Sequence, residues 1–214
     1  PDGTRVPGWL VLPPGRRAGE RLPAVVLVHG GPQGAWDDAW TWRWNVMAYA
    51  AQGWAVVLPN PRGSTGFGQG YVDAVSRSWG AAYADVMALL DRVIAGGDVD
   101  GTRTCAAGAS YGGFMVNYVN GQTDRFRCLV VHAGLFDLEA MYYRTDELWF
   151  PEWDLGGGPP WEHPEAYARF SPSRFVASWK TPTLVSHGEL DYRCTIDQGY
   201  AAFTALQRCG VPSK

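Results

Sequence analysis

The sequence predicts an α/β fold, a mostly parallel sheet with helices on both faces. Three observations point there. Short unbroken apolar runs, Ala24–Val28 and Trp54–Leu58, read as buried parallel strands. Helical patterns alternate with them, most clearly over Tyr83–Ala95, where Val86, Leu89, Leu90, Val93 and Ile94 recur at i, i+3, i+4, i+7 and i+8. Gly or Pro closes most of these runs, as at His29-Gly30-Gly31-Pro32, Gly53, Pro59-Asn60-Pro61 and Gly96-Gly97.

The remaining elements follow the same logic. Gly8–Leu12 is a short strand stopped by Pro13-Pro14-Gly15, and Arg16–Arg21 a polar loop. Trp36–Gln52, with scattered apolar residues, reads as a helix whose Trp36, Trp40, Trp42 and Trp44 pack on the sheet. Arg62–Gly70 is a Gly-rich loop. Thr104–Ala107 is a strand, followed through Gly108 by a helix over about Tyr111–Asn120. Cys128–Val131 and Thr183–Ser186 are strands, and Ile196–Arg208 is a helix with Ile196, Tyr200, Phe203 and Leu206 roughly on one face. Residues 136–175 break the alternation. That stretch is aromatic and rich in Pro and Gly, too long for a simple connection, and reads as a functional insertion in a single partial domain spanning 1–214.

Composition bounds the function. With 214 residues, 46% apolar and 18% charged, the chain can bury a sizeable core. A net charge of −3 leaves no electrostatic footprint for nucleic acid. No window approaches the roughly 18 apolar residues of a membrane span. Cys105 and Cys128 sit in apolar runs and read as small core residues, while Cys194 and Cys209 are left open as a pair. No Cys/His spacing suggests a metal.

The strongest local signal is Gly108-Ala109-Ser110-Tyr111-Gly112, a G-x-S-x-G between a strand and a helix. A serine on such a strained turn is raised clear of the sheet, beside a helix N-terminus that favours negative charge. Small neighbours are needed because side chains at 108 and 112 would meet backbone. Ser110 is therefore the candidate nucleophile. The Gly pair at the end of the Ala24–Val28 strand lets backbone approach a substrate. The N–H groups of Gly31 and Tyr111 are the candidate oxyanion hole. In the α/β-hydrolase order the acid follows the serine, at the end of a later strand. Of Glu189, Asp191 and Asp197, Asp191 is chosen, 81 positions after Ser110. His29, His132, His163 and His187 all precede Asp191, and none stands where the general base belongs. They read as structural, and the base is expected beyond Lys214. The aromatic-rich stretch Leu135–Trp153, with Leu135, Phe136 and Tyr142 foremost, is the candidate apolar specificity pocket.

Five segments, in order, resemble the catalytic domain of the prolyl oligopeptidase family of serine peptidases. They are His29-Gly30-Gly31-Pro32, Asn60-Pro61-Arg62-Gly63-Ser64-Thr65-Gly66-Phe67-Gly68, Ser110-Tyr111-Gly112-Gly113-Phe114-Met115, Thr123-Asp124-Arg125-Phe126 and His187-Gly188-Glu189-Leu190-Asp191-Tyr192-Arg193. Within the family, the branch of acylaminoacyl-peptidases and related dipeptidyl-peptidases is the nearest in pattern. The resemblance implies an α/β-hydrolase fold, Ser110 as nucleophile, Asp191 as acid, and Gly31 and Tyr111 at the oxyanion. It also implies Arg193 as a contact to the substrate backbone. His29 stands where prolyl oligopeptidases carry a Tyr that assists the oxyanion. The implied substrate is a short peptide cleaved near its N-terminus, with no cofactor. The same triad would serve a carboxylesterase or lipase, and an incomplete site would suit a non-catalytic interaction module.

The chain departs from the family pattern. The N-terminal β-propeller is missing, as are the last strand and helix with the catalytic His, so the 214 residues alone are expected to be nearly inactive. Cys194-Thr195 replaces the usual apolar or Pro-containing pair. The turn-like Asp2-Gly3-Thr4 implies a strand ahead of Pro1. At the other end, Thr183–Ser186 should form an unpaired apolar edge. The fragment would then need its missing C-terminal part or a partner to be soluble, and the propeller and a second copy of the chain are further expected partners.

Overall fold

A computed structural model describes residues 3–214. The turn expected at Asp2 lies outside the described residues. In chain order the elements are β1 (Gly8–Val11), β2 (Leu22–Val28), α1 (Val46–Ala51), β3 (Ala55–Pro59), α2 (Gln69–Asp73), α3 (Ala82–Ala95), β4 (Val99–Ala109), α4 (Tyr111–Gln122) and β5 (Cys128–His132). Then follow α5 (Leu138–Tyr142), α6 (Trp149–Pro151), α7 (Pro164–Phe170), β6 (Thr183–Ser186) and α8 (Ile196–Arg208).

The strands form one sheet in the order β1-β3-β2-β4-β5-β6. Only β1 is antiparallel to its neighbour. The apolar runs of β2 and β3 are buried because both sheet faces are covered. Successive residues of β2 feed opposite layers. Ala24, Val26 and Val28 enter the larger core under α3 and α4, while Val25 and Leu27 enter a smaller one with Ala50 of α1. From β2 the chain crosses to β3 on one side, then returns past β2 to β4 on the other. This reversal opens a crevice at the C-terminal ends of β2 and β4, where an open α/β sheet places its ligands.

The helix expected over Trp36–Gln52 is shorter, covering only Val46–Ala51. Side chains divert the preceding backbone into loop. Asp37 accepts from the Ala39 N–H at 3.0 Å and Thr41 from the Arg43 N–H at 3.2 Å, while Asn60 bonds both the N–H and the carbonyl of Trp36. Trp36 and Trp44 pack on the smaller core. Trp40 and Trp42 do not pack on the sheet. They are exposed and meet edge to face.

Two further expectations are corrected. Cys105 and Cys128 are a disulfide rather than two reduced core residues. The β4–β5 register sets them opposite one another, with Cα atoms 4.9 Å apart, within bridging range. Cys194 and Cys209 are both free. Nor is β6 a bare edge. Thr183 N–H donates to the Pro212 carbonyl and Val185 N–H to that of Lys214, and Ser213 forms a parallel bridge with Thr183. Residues 136–175 are largely helical and belong to the core. Leu138, Met141, Leu155, Tyr167 and Phe170 are buried in the larger cluster.

Candidate active site

Ser110 stands alone between the end of β4 and the start of α4, with φ 58° and ψ −122°. A non-glycine residue there costs on the order of 1–3 kcal/mol. Its neighbours hold it in place. The Ser110 N–H donates to the His132 carbonyl at 3.1 Å, and its carbonyl accepts the Phe114 N–H at 2.8 Å. A Cβ on Gly112 would run into the Val28 carbonyl, and one on Gly113 would lie 2.6 Å from the Gly134 Cα. The first turn of α4 therefore rests directly on the ends of β2 and β5. This is the physical need behind the glycines around Ser110.

The loop after β2 passes beside the serine. A Cβ on Gly30 would sit 3.6 Å from the Ser110 Cβ. Gly31 has φ 133°, and a side chain there would strike the Gln33 backbone. His29 braces the loop. Burial lowers its pKa, against the opposing effect of its bond to the Gly30 carbonyl, and so favours the neutral ring. Nδ1 lies 2.8 Å from that carbonyl, and Nε2 lies 2.9 Å from the Ser64 hydroxyl, which itself donates to the Pro61 carbonyl at 2.6 Å. Ser64 belongs to the Gly-rich loop, which Arg62 anchors through hydrogen bonds to the buried Asp85 of α3. Among the described residues, neither the Gly31 nor the Tyr111 N–H donates to a main-chain carbonyl. Both residues line the same cavity as Ser110.

That cavity measures about 320 Å³. Leu135, Met141, Trp79, Trp149 and Phe150 give it apolar walls, and Gln33, Thr145, Glu147, Arg193 and Cys194 a polar rim. Of the three expected pocket residues, Leu135 lines it and the other two do not. Phe136 packs on Trp179, in a separate cluster with α8. Tyr142 is buried among Tyr143, Trp161 and Tyr167, its hydroxyl donating to Glu152 at 2.7 Å. Adjacent residues point apart, so Leu135 and Met141 face the cavity while Phe136 and Tyr142 face away. Trp79, Gln33 and Glu147 carry no sequence motif and were not anticipated. Tertiary packing alone brings them here.

Asp191 lies in the turn after β6. Its Oδ1 accepts the N–H groups of Arg193 and Cys194, each at 3.0 Å, which fixes the carboxylate's orientation. His187 donates from Nε2 to the Cys194 carbonyl and so closes the same turn. Arg193 reaches across to the helical insertion, 2.9 Å from Glu147 and 3.3 Å from Asp146. The Cys194 thiol, pushed up to about 11 chiefly by burial, faces the Ser110 hydroxyl. Among the described residues no histidine nitrogen bonds that hydroxyl. His132 bonds Ser186, and His163 precedes α7 beside Gly156.

A serine raised between a parallel strand and a helix, at the point where sheet order reverses, fits the α/β-hydrolase fold, which the solved structures below share. The prolyl oligopeptidase family profile matches residues 40–214, and the chain belongs to that family. It is 41% identical to dipeptidyl-peptidase 5 of Schizosaccharomyces pombe, over 99% of this chain and 32% of that protein. It is 42% identical to dipeptidyl-peptidase 5 of Porphyromonas gingivalis, over 100% of this chain and again 32% of the relative. Among solved structures, Pyrococcus horikoshii acylaminoacyl peptidase superposes with a TM-score of 0.90 at 29% identity, covering 96% of this chain and 33% of that one. The chain thus spans about a third of the length of the relatives it matches.

Proposed function

We propose that this chain is the catalytic part of a serine peptidase that releases short pieces from peptide N-termini through an acyl-enzyme. One observation carries the reading. Ser110 stands on a strained turn in a cavity that Gly31 and Tyr111 also line, and neither of their N–H groups donates to a main-chain carbonyl among the described residues. In the reaction, Ser110 Oγ attacks the scissile carbonyl carbon, and its proton passes to a general base. The carbonyl oxygen becomes an oxyanion held by the two N–H groups. The C–N bond breaks as the base returns the proton to the leaving amine. Water then hydrolyses the ester on Ser110. In this chemistry the base is a histidine, and Asp191 is the acid that orients it. Arg193, at the cavity rim, holds the substrate backbone, and Leu135 contributes to the apolar wall. No step requires a cofactor.

Relatives named dipeptidyl-peptidase and acylaminoacyl peptidase support a substrate cleaved near its N-terminus. The test is reaction of the intact gene product with a fluorophosphonate, compared with Ser110→Ala. Labelling lost in the variant, with hydrolysis of dipeptidyl or acyl-aminoacyl anilides, is the expected result. Hydrolysis of esters without any amide would turn the reading toward an esterase. No labelling at all would leave a non-catalytic module.

A further inference from the structure

Asp154 is a carboxylate with no exposed surface, set in a π-helical turn over Glu152–Gly156. Burial of such a group is costly unless something holds it. Among the described residues no Arg or Lys side chain pairs with it. Its partners are instead two neutral donors. Gln33 Nε2 donates to both of its oxygens at 3.1 Å, and Trp79 Nε1 donates to Oδ2 at 2.8 Å. Desolvation accordingly raises its pKa, against the effect of these two bonds.

Each donor leads to one half of the oxyanion site. Gln33 lies two residues after Gly31, in the bend that Gly31 makes. The carbonyl of Trp79 accepts the hydroxyl of Tyr111 at 2.9 Å, and the Tyr111 ring packs edge to face on that indole. A single buried carboxylate is thus tied to the loop that presents one amide and to the side chain of the residue that presents the other. An exposed Gln would be satisfied by water and gains little from a buried partner. What the pin changes is the freedom of the loop. We infer that Asp154 is the positioning residue of the oxyanion hole, holding the Gly31 and Tyr111 amides in register through Gln33 and Trp79. The inference rests on the acyl-transfer reading above and extends it to a residue outside every motif of the chain.

The test uses the intact gene product with Gln33→Ala, Asp154→Asn, the double variant and Ser110→Ala. Gln33 is exposed, so Gln33→Ala folds even if changes at 154 do not. Loss of an oxyanion donor lowers kcat by about 10²–10³. Displacement of one is expected to lower it by about 10-fold or more, with KM within about 3-fold. Affinity for a peptide boronate, whose tetrahedral adduct carries the oxygen, should fall in parallel. In Asp154→Asn, whose side chain does not line the cavity, affinity for an uncleaved product peptide should stay unchanged. The double variant should be no worse than the worse single one. Wild-type kcat in Gln33→Ala, a loss confined to KM, or equal losses for boronate and product in Asp154→Asn would overturn the inference while leaving Ser110 in place. A wild-type protein inert to fluorophosphonate and to all substrates would instead overturn the functional reading, and this inference with it.

Discussion

The Sγ of Cys194 lies 3.8 Å from the Oγ of Ser110, and the same cysteine donates its backbone N–H to Asp191. The candidate nucleophile and the turn that holds the candidate acid therefore touch through one residue.

That thiol sits where alkylation should be slow. Burial pushes it up to about 11, so little thiolate exists at neutral pH. Cys209 is free and exposed. Iodoacetamide at pH 7 should modify Cys209 and spare Cys194, with the Cys194 adduct growing as pH approaches 11. Mass spectrometry showing equal rates at pH 7 would contradict the burial.

Gly112 has no room for a methyl group. Gly112→Ala should cost about 1–3 kcal/mol by overpacking, because its Cβ meets the Val28 carbonyl, and should abolish fluorophosphonate labelling. Gly70, in α2, has open space. Gly70→Ala should leave stability unchanged or raise it by up to about 1 kcal/mol. Urea unfolding of both variants separates collision from a general intolerance of side chains.

Removing the Asp85 carboxylate takes away the group that ties Arg62 to α3. Asp85 is almost wholly buried and bonds Arg62 through both oxygens. Breaking a buried pair costs about 3–5 kcal/mol, and the partial exposure of Arg62 favours the lower end. Asp85→Ala should therefore destabilise by about 3 kcal/mol in urea. A change below about 1 kcal/mol would show that the Gly-rich loop is held without it.

His29 predicts an acid-side loss of stability. Its folded pKa lies below the ordinary 6.5, so between the two values the unfolded chain binds more protons than the folded one. The stability from a neutral His29 is complete above about pH 6.5. It is lost as pH falls below that value, and the loss ends below the folded pKa. His29→Gln should flatten that part of the stability–pH curve. An unaltered curve would show that the imidazole takes up its proton equally in the folded and the unfolded chain.

Much of the sheet was legible because its strands are buried on both faces and need continuous apolar runs. Thr183–Ser186 and Ile196–Arg208 match the structure at both ends. The serine turn was legible because glycine is the only residue that tolerates those backbone contacts. Trp36–Gln52 misled because Asp37, Thr41 and Asn60 compete for amides that a helix would use, which spacing does not reveal. Phe136 and Tyr142 misled because an aromatic residue near a site carries no mark of the side it faces.

From the residues alone came the alternation of strand and helix, the strained serine and the acid candidate, each a local demand of backbone geometry or burial. Tertiary structure alone decided that Cys105 meets Cys128, that Cys194 faces Ser110, and that Asp154 reaches Gln33 from 121 positions away. Those pairings depend on strand register and on how the helical insertion folds back over the crevice. Neither is encoded within any single stretch of chain.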